Sequence, residues 1–455
     1  MLDILIVILA VVFVLGIAIN IHEFGHFIVA KLFGMRVEAY SFFGLGPRIW
    51  GFKKGHTDYR ISAIPLGAYV KLYGDEATAS LEGGESEDEK VPESELYELR
   101  PRWQKFLVML GGPFMNILLA LAIPFGAAMI YGVPSMPAPI VGMVSPGGAA
   151  DTAGIKPGDR IIGIDGIENP TWENVRDNAA ISPDRDLAMK IDRGGQKMDI
   201  TVRPKAEMFG GNAIGDLGLA PDAGVEPVEA GTIVEGSPAQ QAGLQVGDKV
   251  IAYNGKAVRN SQELTLQIRE NKDTPAKLTV ERKGERKEID IAARLDSDGV
   301  YRIGVGFGAG AITTRVPVGV GQAAVFAYDA NMRVVRLTGK VFGQMFSGER
   351  SVKDAGIAGP VGIVRTIANA VSGGEVWANL FSLLAGISLS LGIFNLLPIP
   401  LLDGGQIMVL GIEKVMSWFG RTLSMAVREK IQMAGLGIIL LLMVFTLFLD
   451  ISKFF

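Results

Sequence analysis

The sequence has no cysteine, which excludes disulfide cross-links, thiolate zinc sites, iron–sulfur clusters and cysteine nucleophiles together. Histidine is almost as scarce. His22, His26 and His56 are the only three, so histidine chemistry has few places to be. An excess of positive charge is missing too: 44 Lys and Arg stand against 48 Asp and Glu, a net charge of −4. That balance cannot neutralise a phosphate backbone, and it excludes nucleic acid as a main partner. Charged residues of both signs make up only 20% of the 455, while hydrophobic residues reach 49%, which does not suit an ordinary soluble enzyme.

The apolar residues are gathered into runs. Ile4–Ile21 holds no charge, and at about 1.5 Å per helical residue it reaches about 27 Å, close to the thickness of a bilayer's hydrocarbon core. A cleaved signal peptide needs a basic start and a small-residue cleavage site; this chain has Asp3 and runs into Asn20, His22 and Glu23. Phe106–Val133 is a second run, interrupted by Gly111, Gly112, Pro113, Asn116 and Pro124, and predicts a helix whose beginning is broken or re-entrant. Val376–Leu402 is the third, with Asn395, Pro398 and Pro400 near its end, and Ile431–Leu449 is the fourth. Four spans put both termini on one side. Lys31, Arg36, Arg100, Arg102 and Lys105 flank the first loop, and Lys414, Arg421, Arg428 and Lys430 the last. The positive-inside rule makes both loops cytoplasmic and both termini extracytoplasmic, along with the stretch from Pro134 to about Glu375.

That stretch repeats itself. Ala153-Gly154-Ile155-Lys156-Pro157-Gly158-Asp159-Arg160-Ile161-Ile162 recurs 89 residues later as Ala242-Gly243-Leu244-Gln245-Val246-Gly247-Asp248-Lys249-Val250-Ile251. Each copy reads as a short helix with an Ala-Gly cap, a Gly-Asp turn and an apolar strand. The motif resembles a tandem of bacterial PDZ domains, at 140–221 and 222–310. Gly304-Val305-Gly306-Phe307 resembles the carboxylate-binding loop of such modules, and Leu217-Gly218-Leu219 is a poorer counterpart.

The remaining segments complete a domain order. Residues 1–33 form the first transmembrane helix. Residues 34–105 hold a cytoplasmic-side β element, Val37–Gly74, and an acidic linker, Glu82–Glu98. The second transmembrane helix is 106–133. An amphipathic connector follows the repeat at 311–375, with Arg333, Arg336 and Lys340 at helical spacing, and then a tight turn at Gly356–Ile363. The third transmembrane helix is 376–402, a cytoplasmic loop is 403–430, and the fourth transmembrane helix is 431–449.

Two of the three histidines carry a pattern. His22-Glu23-Phe24-Gly25-His26 is HExxH, which on a helix sets two imidazoles on one face for Zn²⁺ and Glu23 beside the open metal position. Ionisable groups in a membrane helix are expensive and functional by default. Catalytic zinc commonly takes three protein ligands. His56 is one candidate for the third, though it lies among Lys53, Lys54 and Asp58 and reads as surface. Asp403 is the better one, at the end of Asn395-Leu396-Leu397-Pro398-Ile399-Pro400-Leu401-Leu402-Asp403-Gly404-Gly405; the alternative is that it caps the next segment.

HEFGH on a first membrane helix, NLLPIPLLDGG on a later one and paired PDZ-like repeats between them resemble the site-2 protease family of intramembrane zinc metalloproteases, over nearly the whole chain. The resemblance implies a polytopic α-helical membrane protein with four transmembrane helices, a membrane-associated β element and two extracytoplasmic PDZ domains, in a bacterial inner membrane. It implies His22, His26 and Asp403 as Zn²⁺ ligands, Glu23 as the catalytic acid/base, and Asn395 near the substrate. Pro398, Gly67, Tyr69 and Val70 fall in its substrate-binding segments. The substrate it implies is a single-span membrane protein, such as an anti-sigma factor already trimmed by another protease, or a leftover signal peptide; a peptide ligand for the PDZ pair is a further partner. Two departures occur: Gln406 follows the DGG where relatives often have histidine, and Gly-Gly-Tyr-Val is here Gly67-Ala68-Tyr69-Val70. Two other readings fit the residues alone. A non-enzymatic PDZ scaffold with structural zinc would tolerate Glu23→Gln, and a metal transporter would show zinc flux, although no inverted repeat is visible among the spans.

Overall fold

Among the described residues, four helices are long and apolar enough to cross a membrane: Ile4–Leu32, Arg102–Tyr131, Val376–Asn395 and Val427–Ile451. The computed structural model describes residues 2–64, 67–74, 91–135, 138–209, 212–222, 228–296, 300–307, 315–351, 359–372, 375–421 and 423–452. Most of the acidic run from Glu82 and the Gly356–Ala358 part of the expected turn lie outside them. The chain divides into two units. One comprises Met1–Ile130, Gly319–Val334 and Ala358–Phe455, the other Tyr131–Val318 and Val335–Ile357.

The first unit is built on α1 (Leu2–Leu32), which is followed by β1 (Val37–Phe43), β2 (Leu45–Lys54), β3 (Thr57–Ile64), β4 (Tyr69–Leu72) and α2 (Arg102–Tyr131). After α3 (Val320–Phe346) come α4 (Pro360–Ser372), α5 (Val376–Asn395), α6 (Asp403–Trp418) and α7 (Met425–Ser452). Ile4, Leu5, Ile8 and Leu9 of α1 are exposed while Ala10, Val14 and Ala18 are buried, so the helix is apolar on every side, as a lipid-facing helix must be. The buried side packs with Ile367 of α4 and Leu380 and Leu384 of α5. A second cluster joins Ala30, Met35, Val37, Leu72, Tyr97, Val108 and Met109, fixing the sheet to the end of α1 and the start of α2. That sheet has the order β2-β3-β1-β4, with β1 parallel to β3 and antiparallel to β4. β4 is therefore an edge strand.

Three segments differ from the sequence reading. α2 is unbroken through Pro113 and Pro124. Each proline removes one helical hydrogen bond, but Val108, Met109, Gly111, Gly112 and Asn116 are buried around the first of them, and that packing holds the helix. α5 stops at Asn395 rather than at 402, and 403–418, read as part of a loop, forms α6. The prolines at 398 and 400 supply the break. Leu401 completes it with φ +88°, a conformation that L side chains rarely adopt and that stores strain.

The second unit contains two modules of the same design. In the first, the strands Gln196–Val202, Leu187–Arg193, Arg160–Ile164 and Ile167–Glu168 form a sheet in that order, and Leu219–Pro221 pairs with Val141–Val144. In the second, the order is Glu285–Ile291, Ala276–Arg282, Lys249–Tyr253, Val228–Ile233, Val305–Phe307. Each module has a core crossed by one helix, Trp172–Ala180 or Ser261–Asn271. The 89-residue offset survives in space. Ile161 and Val250 are both buried, as are Val175 and Leu264. Gly158 and Gly247 sit at φ +93° and +90°, where a side chain would be strained. Arg259 joins the modules by donating to the Gly142 carbonyl at 3.1 Å, and Arg269 pairs with Glu207 at 3.3 Å.

A candidate metal centre

On α1 the four-residue spacing stacks His22 and His26, ring centroids 4.8 Å apart. α2 crosses α1 at glycines: a Cβ on Gly25 would meet the backbone of Gly111, and one on Gly111 would meet that of Gly25. The backbones can approach this closely only because both positions are bare. The crossing brings the Val108 carbonyl to 2.7 Å from His26 Nδ1. A carbonyl can only accept, so Nδ1 carries the proton and Nε2 carries a lone pair.

The third group arrives from the other end of the chain. Asp403 is the first residue of α6, and Leu402 holds the capping position without any side-chain hydrogen bond, so Asp403 does not serve as a cap. Its Oδ2 lies 3.1 Å from His22 Nε2 and its Oδ1 3.4 Å from His26 Nε2. The two imidazole Nε2 atoms are 3.3 Å apart. One donor atom from each of His22, His26 and Asp403 falls within 4.8 Å of the others. Asp403 Oδ2 is buried with no hydrogen-bond partner. Electron-pair donors converging on one point repel unless a cation lies between them, and a buried carboxylate oxygen left bare is costly. Gly112 leaves the space: a Cβ there would collide with His26 Nε2 and His22 Cε1. Two imidazoles, one carboxylate and an open side are a donor set that fits zinc.

Around this cluster lie the other expected residues. Asn395, the last residue of α5, brings its side-chain amide to 3.4 Å from His22 Nε2. Glu23 is hydrogen-bonded by the Val70 backbone amide, which ties edge strand β4 to the HExxH helix. Tyr69 is buried, with the Arg60 guanidinium 5.1 Å from its ring centroid. Gly67, at φ +92°, accepts from the Gly44 amide at 2.8 Å. Pro398 is exposed in the turn between α5 and α6. His56 sits at the β2–β3 turn and is not a member of the cluster.

Sequence reasoning passed over Val108, Asn116 and Ser388. Asn116 and Ser388 are completely buried. Asn116 reaches His22 Nδ1 at 3.3 Å, and Ser388 donates to the Asn116 carbonyl at 2.9 Å. A polar amide in the middle of an uncharged run was the available signal, since such a group must find a partner in a membrane. The partner of a backbone carbonyl leaves no trace in sequence.

Residues 10–442 match the family model described as Peptidase family M50. Protease RseP of Yersinia pestis is 32% identical over 98% of each chain. Regulator of sigma-E protease RseP of Salmonella typhimurium is 30% identical over 100% of each. A Vibrio cholerae protein named "Putative zinc metalloprotease" is also 30% identical, over 100% of each. The chain belongs to peptidase family M50, the site-2 type of protease.

Proposed function

We propose that the chain is a zinc-dependent endopeptidase that cleaves the transmembrane segment of a single-span membrane protein, with His22, His26 and Asp403 as the ligands. The observation that carries this reading is the convergence of His22 Nε2, His26 Nε2 and the Asp403 carboxylate on one point beside Glu23, among helices of membrane length. Bound zinc supplies Lewis acidity to the scissile carbonyl and lowers the pKa of a water towards about 7. The Glu23 carboxylate would take up the proton of the attacking water and hand it to the leaving amine. The Asn395 amide, beside the same point, donates to the developing oxyanion or holds the scissile backbone. β4 receives the unwound substrate by strand addition: it is an edge strand, and its Val70 amide adjoins Glu23.

The two modules act as PDZ domains facing the extracytoplasmic side, at 140–221 and 222–310. Among the described residues, Val305–Phe307 ends its sheet and Leu219–Pro221 pairs on one side only, which gives each module an edge for a peptide. The substrate class is an anti-sigma factor shortened by a prior cut, a reading supported by likeness to the Salmonella protein named Regulator of sigma-E protease RseP.

Co-expression with a truncated single-span reporter tests the reading. Wild type cuts within the reporter's membrane segment, and Glu23→Gln retains zinc without cutting. Equal cutting by both forms overturns it.

A further inference from the structure

His22 has a second nitrogen, and what faces it is not part of the metal cluster. Its Nδ1 lies 3.3 Å from Nδ2 of the Asn116 side-chain amide on α2. Oδ1 of that amide lies 3.3 Å from Ser388 Oγ on α5, and Ser388 Oγ donates to the Asn116 backbone carbonyl at 2.9 Å. Asn116 and Ser388 are fully buried and His22 nearly so, so each of these polar atoms must find its partner inside this group.

We infer that Asn116 is a positioning residue that fixes the tautomer of His22, with Ser388 fixing Asn116 in turn. This rests on the reading of His22 as a metal ligand. An imidazole that gives its Nε2 lone pair to a metal carries its proton on Nδ1, and that proton needs an acceptor. The two ends of a carboxamide have the same shape, so the partners decide which end faces which. Metal ligation by Nε2 requires the amide turned over, with Oδ1 towards His22, so that Asn116 accepts the Nδ1 proton. Its NH₂ group then donates to Ser388 Oγ, and the Ser388 hydroxyl proton goes to the Asn116 carbonyl. With Nδ2 towards His22, its N–H faces Nδ1 and the ring proton goes to Nε2, where it is given to Asp403 Oδ2 and leaves no lone pair for a metal. His26 is held by the same logic through the Val108 carbonyl. α2 thus orients both imidazoles, one by a main-chain acceptor and one by a side-chain acceptor.

The experiment uses the full chain in detergent micelles, dialysed against a graded zinc chelator, with zinc per protein measured at each step. Wild type, His22→Ala, Asn116→Leu and Asn116→Asp are compared. His22→Ala loses its zinc. Asn116→Leu, equal in size but with no acceptor, gives up zinc at about 10- to 100-fold weaker chelation. Asn116→Asp, which keeps an acceptor oxygen, stays close to wild type. Cobalt substitution adds a spectroscopic signature: the visible bands of wild type persist in Asn116→Asp and change in Asn116→Leu, which a loss of packing at this site would not reverse. If Asn116→Leu does not fold, Asn116→Ala carries the same expectation. Wild-type zinc retention by the apolar variant, with His22→Ala emptied, overturns the inference alone. Equal zinc in wild type and His22→Ala overturns the metal reading and this inference with it.

Discussion

His26 donates its Nδ1 proton to the Val108 carbonyl at 2.7 Å, which turns its Nε2 towards Asp403 Oδ1, 3.4 Å away. The bond runs from α1 to α2, while Asp403 comes from α6, so three helices meet at one imidazole. Ligands and their supports should therefore differ in cost. His26→Ala or Asp403→Ala removes a ligand and is expected to weaken zinc binding by more than the roughly 100-fold typical of a lost supporting group. Zinc measured per protein after dialysis checks this. Chelation should abolish reporter cleavage, and added zinc should restore it.

Gly112 tests the space rather than the ligands. A Cβ at this position collides with His26 Nε2 and His22 Cε1, whereas one on Gly126 of the same helix meets nothing. Gly112→Ala should lose zinc and cleavage together. Gly126→Ala should keep both, and since Ala favours a helix by up to about 1 kcal/mol, it should not unfold earlier than wild type. Parallel melts and zinc assays separate the two glycines.

How much of this was legible from sequence depends on how local the signal was. HExxH, the DGG segment, the four apolar runs and the 89-residue repeat are contiguous patterns, and each has a counterpart in the fold. The ends were not legible. Prolines at 113 and 398 look alike as helix breakers, yet α2 passes through the first and α5 stops before the second, because burial against neighbours decides between them. Asn116 and Ser388 meet across 272 residues, and no spacing rule connects them. The same is true of Arg193 and Arg282, which complete the two Gly-Asp turns from distant strands.

Those arginines give a pH prediction. Asp159 is 1% exposed and takes paired hydrogen bonds of 2.7 Å from Arg193; Asp248 is likewise 1% exposed and takes the same pair from Arg282. Burial pushes both carboxyls up, but the guanidinium and a backbone amide outweigh it and hold both below the usual range. A depressed folded pKa contributes stability that is complete above the unfolded value, about 3.9 for Asp. It is lost as pH falls through the folded value. Hydrogen exchange of the two modules in the full chain should therefore be constant from neutral pH to about 5 and accelerate relative to the intrinsic rate below about 4. Arg193→Met and Arg282→Met each leave burial to raise the carboxyl, so each should speed exchange at neutral pH and flatten the acid limb, in its own module only. Unaltered limbs would mean the pairs contribute nothing.

The core offers a companion test of the repeat. Val175 and Leu264 occupy the same place in the two modules and are 1% and 0% exposed. Leu264→Ala should destabilise the second module by about 2–5 kcal/mol, and Val175→Ala, which removes less volume, should cost the first module less. Zinc content should not change in either variant, because the ligands belong to the other unit.

Val70 separates holding the substrate from breaking its bond. Its backbone amide is hydrogen-bonded to Glu23, and its strand is one of the two edges of the sheet. Val70→Pro removes that N–H, the one main-chain donor Val70 has, but leaves all three ligands and Glu23 in the chain. If β4 positions both the substrate and the acid/base, cleavage should fall by up to about 100-fold, within the range of a displaced general base, with zinc unchanged. Glu23→Gln removes the proton carrier itself and should be the more severe loss. Equal losses in the two variants would assign β4 the whole effect of Glu23, and full activity in Val70→Pro would remove the edge strand from the reaction.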